Sequence, residues 1–159
     1  MPKEPIPPFF GEVSAIFNDE AWEASPLVRF YENDNSKVSI TMKYYLYEGY
    51  SVNFLGFFQI PLTLDTLDLI NTSTRDGLPT SFFMLQDGDA IISQYFLADM
   101  GFDNQLIITN YDEESRSIEG TFQAGFLIDS LLDASKPYLP DTMIFKNGHF
   151  TSKVFELCE

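Results

Sequence analysis

Residues 118–126 read Ile-Glu-Gly-Thr-Phe-Gln-Ala-Gly-Phe. The even positions are apolar or small, and the odd ones are polar except for Gly125. Successive side chains of a β-strand point to opposite faces, so this alternation predicts a strand with one buried side. Gly120 then falls on the buried face between Ile118 and Phe122 and leaves a gap the size of a side chain. Two devices can fill it: a large ring from a facing strand, with Trp22 as a candidate, or a bend or bulge that curves the sheet. Gly120 therefore reads as a shape residue of a curved β domain.

The same pattern extends outward. Arg116–Ile128 forms a long hairpin with Gln105–Tyr111 across Asp112-Glu113-Glu114-Ser115. In Lys37–Tyr47 the even residues Val38, Ile40, Met42, Tyr44 and Leu46 alternate with polar ones, and after Glu48-Gly49 the even register resumes with Val52, Phe54, Gly56, Phe58 and Ile60. This predicts a hairpin ended by Pro61, which has no N–H for a ladder. Glu12–Phe17 and Ala21–Ala24 flank Asn18-Asp19-Glu20, which is turn chemistry. Ser25-Pro26 is expected to end the second of these strands before another short run, Leu27–Tyr31.

Further along, Ser81–Leu85 and Ala90–Leu97 read as strands around Gln86-Asp87-Gly88-Asp89, and 99–104 as a turn. Leu62–Ile70 fits a short helix or a strand equally, and Asp129–Ala134 suits one helical turn before Pro137 and Pro140. Asn147-Gly148, between Met143–Lys146 and His149–Leu157, predicts a two-residue hairpin turn, because both of its positions need positive φ. The expected fold is all-β: an antiparallel, curved sheet closing as a barrel or a two-sheet sandwich, with about nine or ten strands and one or two short helical turns. Residues 1–9 carry four of the nine prolines and read as a tether, and 10–159 as a single domain.

Composition narrows the function classes. Acidic residues outnumber basic ones 24 to 9, for a formal charge of −15, which disfavours nucleic acid as a partner. The lone Cys158 excludes an intramolecular disulfide, and no stretch approaches the length of a membrane-spanning helix. With a single histidine, His149, just after Asn147-Gly148, neither a nucleophilic triad nor a zinc site is expected. The densest acidic groups are Asp65-Thr66-Leu67-Asp68, Asp87-Gly88-Asp89 and Asp112-Glu113-Glu114, and none has calcium-loop spacing. No catalytic residue, metal or cofactor is expected.

Aromatic residues supply the binding candidates. Tyr44, Tyr45, Tyr47 and Tyr50 crowd one hairpin tip with Phe57 and Phe58 further down, and both registers carry rings, so one face cannot bury them all. Trp22 reads as a core or rim plug, with a stacking platform as the alternative. The candidate binding set is Trp22, Tyr44, Tyr45, Tyr47, Tyr50 and Phe57.

Three segments carry a family resemblance: Val13–Ala24, with its strand, turn and Trp22; Leu106–Tyr111 with Ile118-Glu119-Gly120-Thr121-Phe122; and Phe145-Lys146-Asn147-Gly148-His149-Phe150. In this order they resemble small secreted lipoprotein β domains of unknown function from Bacteroidota. The resemblance implies a signal peptide, a lipidated cysteine and a Pro-rich tether upstream of the domain. It implies a place in the cell envelope or periplasm, anchored to the outer membrane through the lipid, or in the cytoplasm if Met1 is the natural start. The expected function is a non-enzymatic envelope domain that binds a ligand or protein partner through aromatic and acidic loops. The alternative is a cytosolic acidic inhibitor or immunity-type protein that binds a basic partner.

Overall fold

The computed structural model describes residues 11–32, 34–47, 50–70, 78–87, 90–128 and 140–155. Their regular structure is all β, in ten strands: β1 (Gly11–Phe17), β2 (Glu20–Tyr31), β3 (Asp34–Tyr47), β4 (Tyr50–Pro61), β5 (Thr66–Asp68), β6 (Thr80–Asp87), β7 (Ala90–Leu97), β8 (Gln105–Asp112), β9 (Ser117–Ile128) and β10 (Thr142–Phe155). They form one sheet in the order β1-β10-β2-β3-β4-β6-β7-β9-β8-β5, with β1 also paired to β2 and β10 to β9. The extra pairings join eight strands into a ring, with β8 and β5 continuing outside it. Every pairing is antiparallel except a short parallel contact of β10 with β2 at Val28 and Arg29.

Long strands and bulges close the ring. β2 runs through Ser25-Pro26 without a break, as one strand of 12 residues rather than two. Pro26 lies between Ala24, the last residue paired with β1, and Val28, the first paired with β10. A gap in the ladder tolerates a residue with no N–H. β10 is likewise a single strand of 14 residues. Asn147-Gly148 is therefore not a hairpin turn: Asn147, at φ 53°, is the extra residue of a bulge between Phe145 and Gly148. The side-chain phase flips there, with Met143 and Phe145 inward on one side and Gly148, Phe150, Ser152 and Val154 on the other.

A second bulge corrects the reading of β4. Ile40 pairs with Phe57 and Val38 with Ile60, so two β4 residues oppose one β3 residue, with Gln59 at φ 58°. Leu55 and Phe57 are consequently the buried residues, while Phe54 and Phe58 face outward beside Gly56. Tyr31 holds the bulge by accepting the Gln59 N–H at 2.7 Å. Partial burial raises the pKa of that phenol, and the Gln59 bond pulls the other way. Leu62–Ile70 resolves as the short strand β5, not a helix. The turn suggested for Asp129–Ala134 lies outside the described residues.

The gap at Gly120 is filled, though not by Trp22. Gly120 pairs with Phe150 across β9 and β10, and two residues along the same ladder Phe122 pairs with Gly148. Each ring lies over the glycine opposite: a Cβ on Gly120 would stand 2.6 Å from the Phe150 ring, and one on Gly148 2.6 Å from the Phe122 ring. A Cβ on Gly120 would also meet the Ile107 carbonyl oxygen of β8 at 2.5 Å. Covering a strand glycine with a cross-strand ring restores the contacts that the missing side chain forfeits. Here the device is used twice, reciprocally, and it locks the register.

Phe145 forms the centre of the core, stacked on Phe17 with ring centroids 4.5 Å apart and surrounded by Trp22, Phe83, Phe122 and Phe126. Tyr95 is fully buried, and its hydroxyl donates to the Pro140 carbonyl at 2.7 Å. Aromatic packing thus fills the interior of the ring.

Candidate functional site

The antiparallel registers bring three hairpin tips to one end of the ring. Ser25 pairs with Lys43 and Asn53 with Leu85, so the β1–β2, β3–β4 and β6–β7 tips point the same way. Asn18 and Asp19, at φ 46° and 68°, form the first of them, a two-residue turn of the type that matches strand twist. Its Asn18 side chain donates to the Thr142 carbonyl at 3.1 Å and accepts the Ile144 N–H at 2.8 Å, which ties this end to the start of β10.

The tyrosines belong to the second tip. Beyond Met42, β3 outruns the ring: Tyr44 is 36% exposed and Leu46 61% exposed. Two register shifts, at Tyr44/Tyr45 and Tyr45/Tyr47, twist the tip, and Tyr45 and Tyr50 are half-buried. Tyr47 pairs through its backbone with Tyr50, and its side chain lies outside the described residues. Tyr44, Tyr45 and Tyr50 thus share this tip, with the successive Tyr44 and Tyr45 on opposite faces of β3. The structure puts the other two described candidates inside: Phe57 is fully buried against Phe122, and Trp22 is 7% exposed against Phe17 and Phe145. Trp22 nevertheless reaches the tip, since its Nε1–H donates to Asn53 Oδ1 at 3.1 Å and Asn53 is the ladder partner of Tyr44.

An aromatic wall on the outside of the ring escaped the sequence reading. Phe54, Phe82 and Phe58 stack in that order over Gly56, with centroids 5.8 and 5.3 Å apart, and Lys43 Nζ lies 5.8 Å from the Phe54 ring centre. The ladder partners of Phe82 carry the wall on to the exposed Phe96 and Leu127. The signal was present as alternation, but without the Gln59 bulge its phase placed Phe54 and Phe58 indoors.

The acidic and titratable groups lie in the open. His149 Nε2 is 3.6 Å from a Glu119 carboxylate oxygen, with both side chains about half exposed. Ser14 stands opposite His149 on β1, and both line a groove of about 340 Å³ that also holds Glu12 and Glu23. A wider cleft, about 510 Å³, lies where β9 passes its edge from β7 to β8, lined by Asp68, Asp99, Asp103, Leu69, Ile70 and Phe102 among others. Asp112 accepts the Glu114 N–H, which holds its carboxyl below the usual range, and a side-chain bond from Ser36 does the same for Asp34. Tyr111 moves the other way, raised chiefly by desolvation and then by Glu113. Among the described residues no group of three or more His, Cys, Asp or Glu side chains could hold a metal ion, and no helix is long and apolar enough to cross a membrane. Comparison with family models, with curated proteins and with solved structures gives no match to this chain.

Proposed function

We propose that this chain is a non-enzymatic, envelope-type β domain that binds a ligand or protein partner through the tip end of its strand ring. The observation that carries the reading is the β3–β4 tip, where Tyr44 and Leu46 project past the ring while Tyr45 and Tyr50 stay half-buried beside them. Rings that combine apolar area with a hydroxyl handle suit recognition at low entropy cost. The one histidine faces Glu119 on an open strand surface, an arrangement suited to a solvated ion pair.

Trp22 supplies a probe, being the only tryptophan and bonded to the Tyr44 partner Asn53. A ligand at the tip is expected to shift Trp22 emission, and Tyr44→Ser with Tyr50→Ser to abolish the shift with little change in melting temperature. An unchanged response in the double variant excludes the tip. Fractionation of cells expressing the natural gene tests the envelope part: a purely cytosolic product overturns it.

The charge of −15 favours a second reading, an acidic inhibitor of a basic partner. Calorimetric titration against basic proteins separates the two, since such binding weakens steeply with salt and tip recognition by tyrosines does not.

A further inference from the structure

Asn-Gly is the dipeptide in which a backbone nitrogen most readily attacks the preceding side-chain amide, because glycine offers no steric hindrance. Asn147-Gly148 is such a pair, and the Asn147 side chain is exposed to solvent. The reaction forms a bond from Gly148 N to Asn147 Cγ and breaks the bond from Cγ to Nδ2. Ammonia leaves with the proton lost from Gly148 N, and water then opens the cyclic imide at either carbonyl to give aspartate or isoaspartate.

The bulge opposes every stage of the attack. Ring closure needs the Gly148 nitrogen nearly eclipsed with the Asn147 Cβ. Asn147 sits at φ 53°, in the left-handed region, whose characteristic ψ of about +47° carries the next nitrogen away from Cβ. Gly148 is buried beneath the Phe122 ring and held in the β9–β10 ladder, with Ser14 and Ile16 of β1 paired to the residues on either side of the bulge. The attacking atom is thus turned away and pinned while the leaving amide stands in water.

We infer that Asn147-Gly148 is a modification site gated by opening of the seam between β9 and β10. It is inert in the closed ring and reactive whenever β10 lifts away. The change is one-way: isoaspartate inserts an extra backbone methylene into the bulge, the point where the inward phase of β10 must flip. A modified seam cannot restore its register, so each opening carries a risk of permanent loss.

Peptide mapping of the full chain tests this, after parallel incubation at mildly alkaline pH in native buffer and in urea. Conversion at Asn147 is expected to be at least about tenfold slower in native buffer, following the closed population of the seam. Equal rates overturn the proposal. Phe150→Ala, which removes the ring over Gly120, is expected to speed native-buffer conversion toward the urea rate without changing the rate in urea. A folded Phe150→Ala protein converting no faster than the parent also overturns it. If that variant does not fold, the native and urea arms of the parent chain still decide.

Discussion

Asn18-Asp19 and Asn147-Gly148 place an asparagine at nearly the same backbone angle, φ 46° and 53°, yet one reverses the chain and the other does not. At Asn18 the ladder closes on itself, Phe17 pairing with Glu20. At Asn147 the strand continues, and the only change is that inward residues pass from odd to even numbers. Left-handed asparagine marks where the backbone can deviate. The apolar phase on either side decides whether the deviation is a turn or a bulge. A hairpin starts a new strand with its own phase, whereas a bulge shifts the phase of the same strand by one residue. Gln59 repeats the second case in β4.

The largest way to break this contrast is to delete His149, in the regular ladder just past the bulge. That deletion turns Phe150, Ser152 and Val154 outward, so cooperative unfolding in a thermal or urea melt should be lost. Deleting the extra residue Asn147 leaves Lys146 alone between the inward Phe145 and Gly148 and should keep a cooperative melt. Inserting one glycine between Asn18 and Asp19 should instead leave a cooperative melt, about 1 kcal/mol less stable, because a longer loop adds little closure entropy.

Gly120→Val comes next. Its Cβ collides with the Phe150 ring and with a carbonyl of β8 that cannot swing away. A loss of about 3 kcal/mol is expected from overpacking. That corresponds to a drop of roughly 6–12 °C in melting temperature, and an unchanged melt refutes the interlock.

A finer separation comes from glycine at each asparagine, since glycine keeps the left-handed backbone and removes only the side chain. Asn18→Gly forfeits the bonds to Thr142 and Ile144 and should cost about 1–2 kcal/mol. Asn147→Gly should stay within about 0.5 kcal/mol of the parent in urea titrations. Equal costs at both sites would mean that the Asn18 side chain contributes nothing to holding β10.

The smallest effect concerns pH, at a third turn. Asp112 caps the β8–β9 loop, and its pKa is depressed in the folded chain from the usual 3.8. A depressed carboxyl contributes stability that is fully present above its unfolded value and lost as pH falls through the folded one. Acid titration followed by NMR should show the Asp112 carboxyl protonating below 3.8, and Asp112→Asn should flatten only the acid limb of the stability curve.

Much of the fold was legible because alternation survives wherever strands are regular. β9 and the body of β3 follow the phase read from their residues, and β6, β7 and β8 form where strands were expected. Misreadings cluster where one residue is added or one donor is missing: Gln59, Asn147 and Pro26. None of these announces its tertiary partner, and a proline or an Asn-Gly pair ends a strand in most contexts. Gly120 was correctly placed inside, but the ring that covers it comes from Phe150 rather than Trp22, since cross-strand register is not written in either strand alone. The candidate site was less legible. Exposure at Tyr44 depends on how far β3 outruns its neighbours, and the outer aromatic wall depends on the same Gln59 phase shift that hid it.

Asn18 also has a temporal meaning. Its partners lie 124 to 126 residues further along the chain, and β1 finds its β10 neighbours only when the last strand has been made. During synthesis β1, β2 and β9 therefore present open edges until residues 142–155 emerge, the state in which strand proteins associate wrongly. Contacts so remote in sequence also make for slow folding. The final strand is the latch on which the whole ring waits, and a ribosome stalled before Thr142 would release a sheet with nothing to close it.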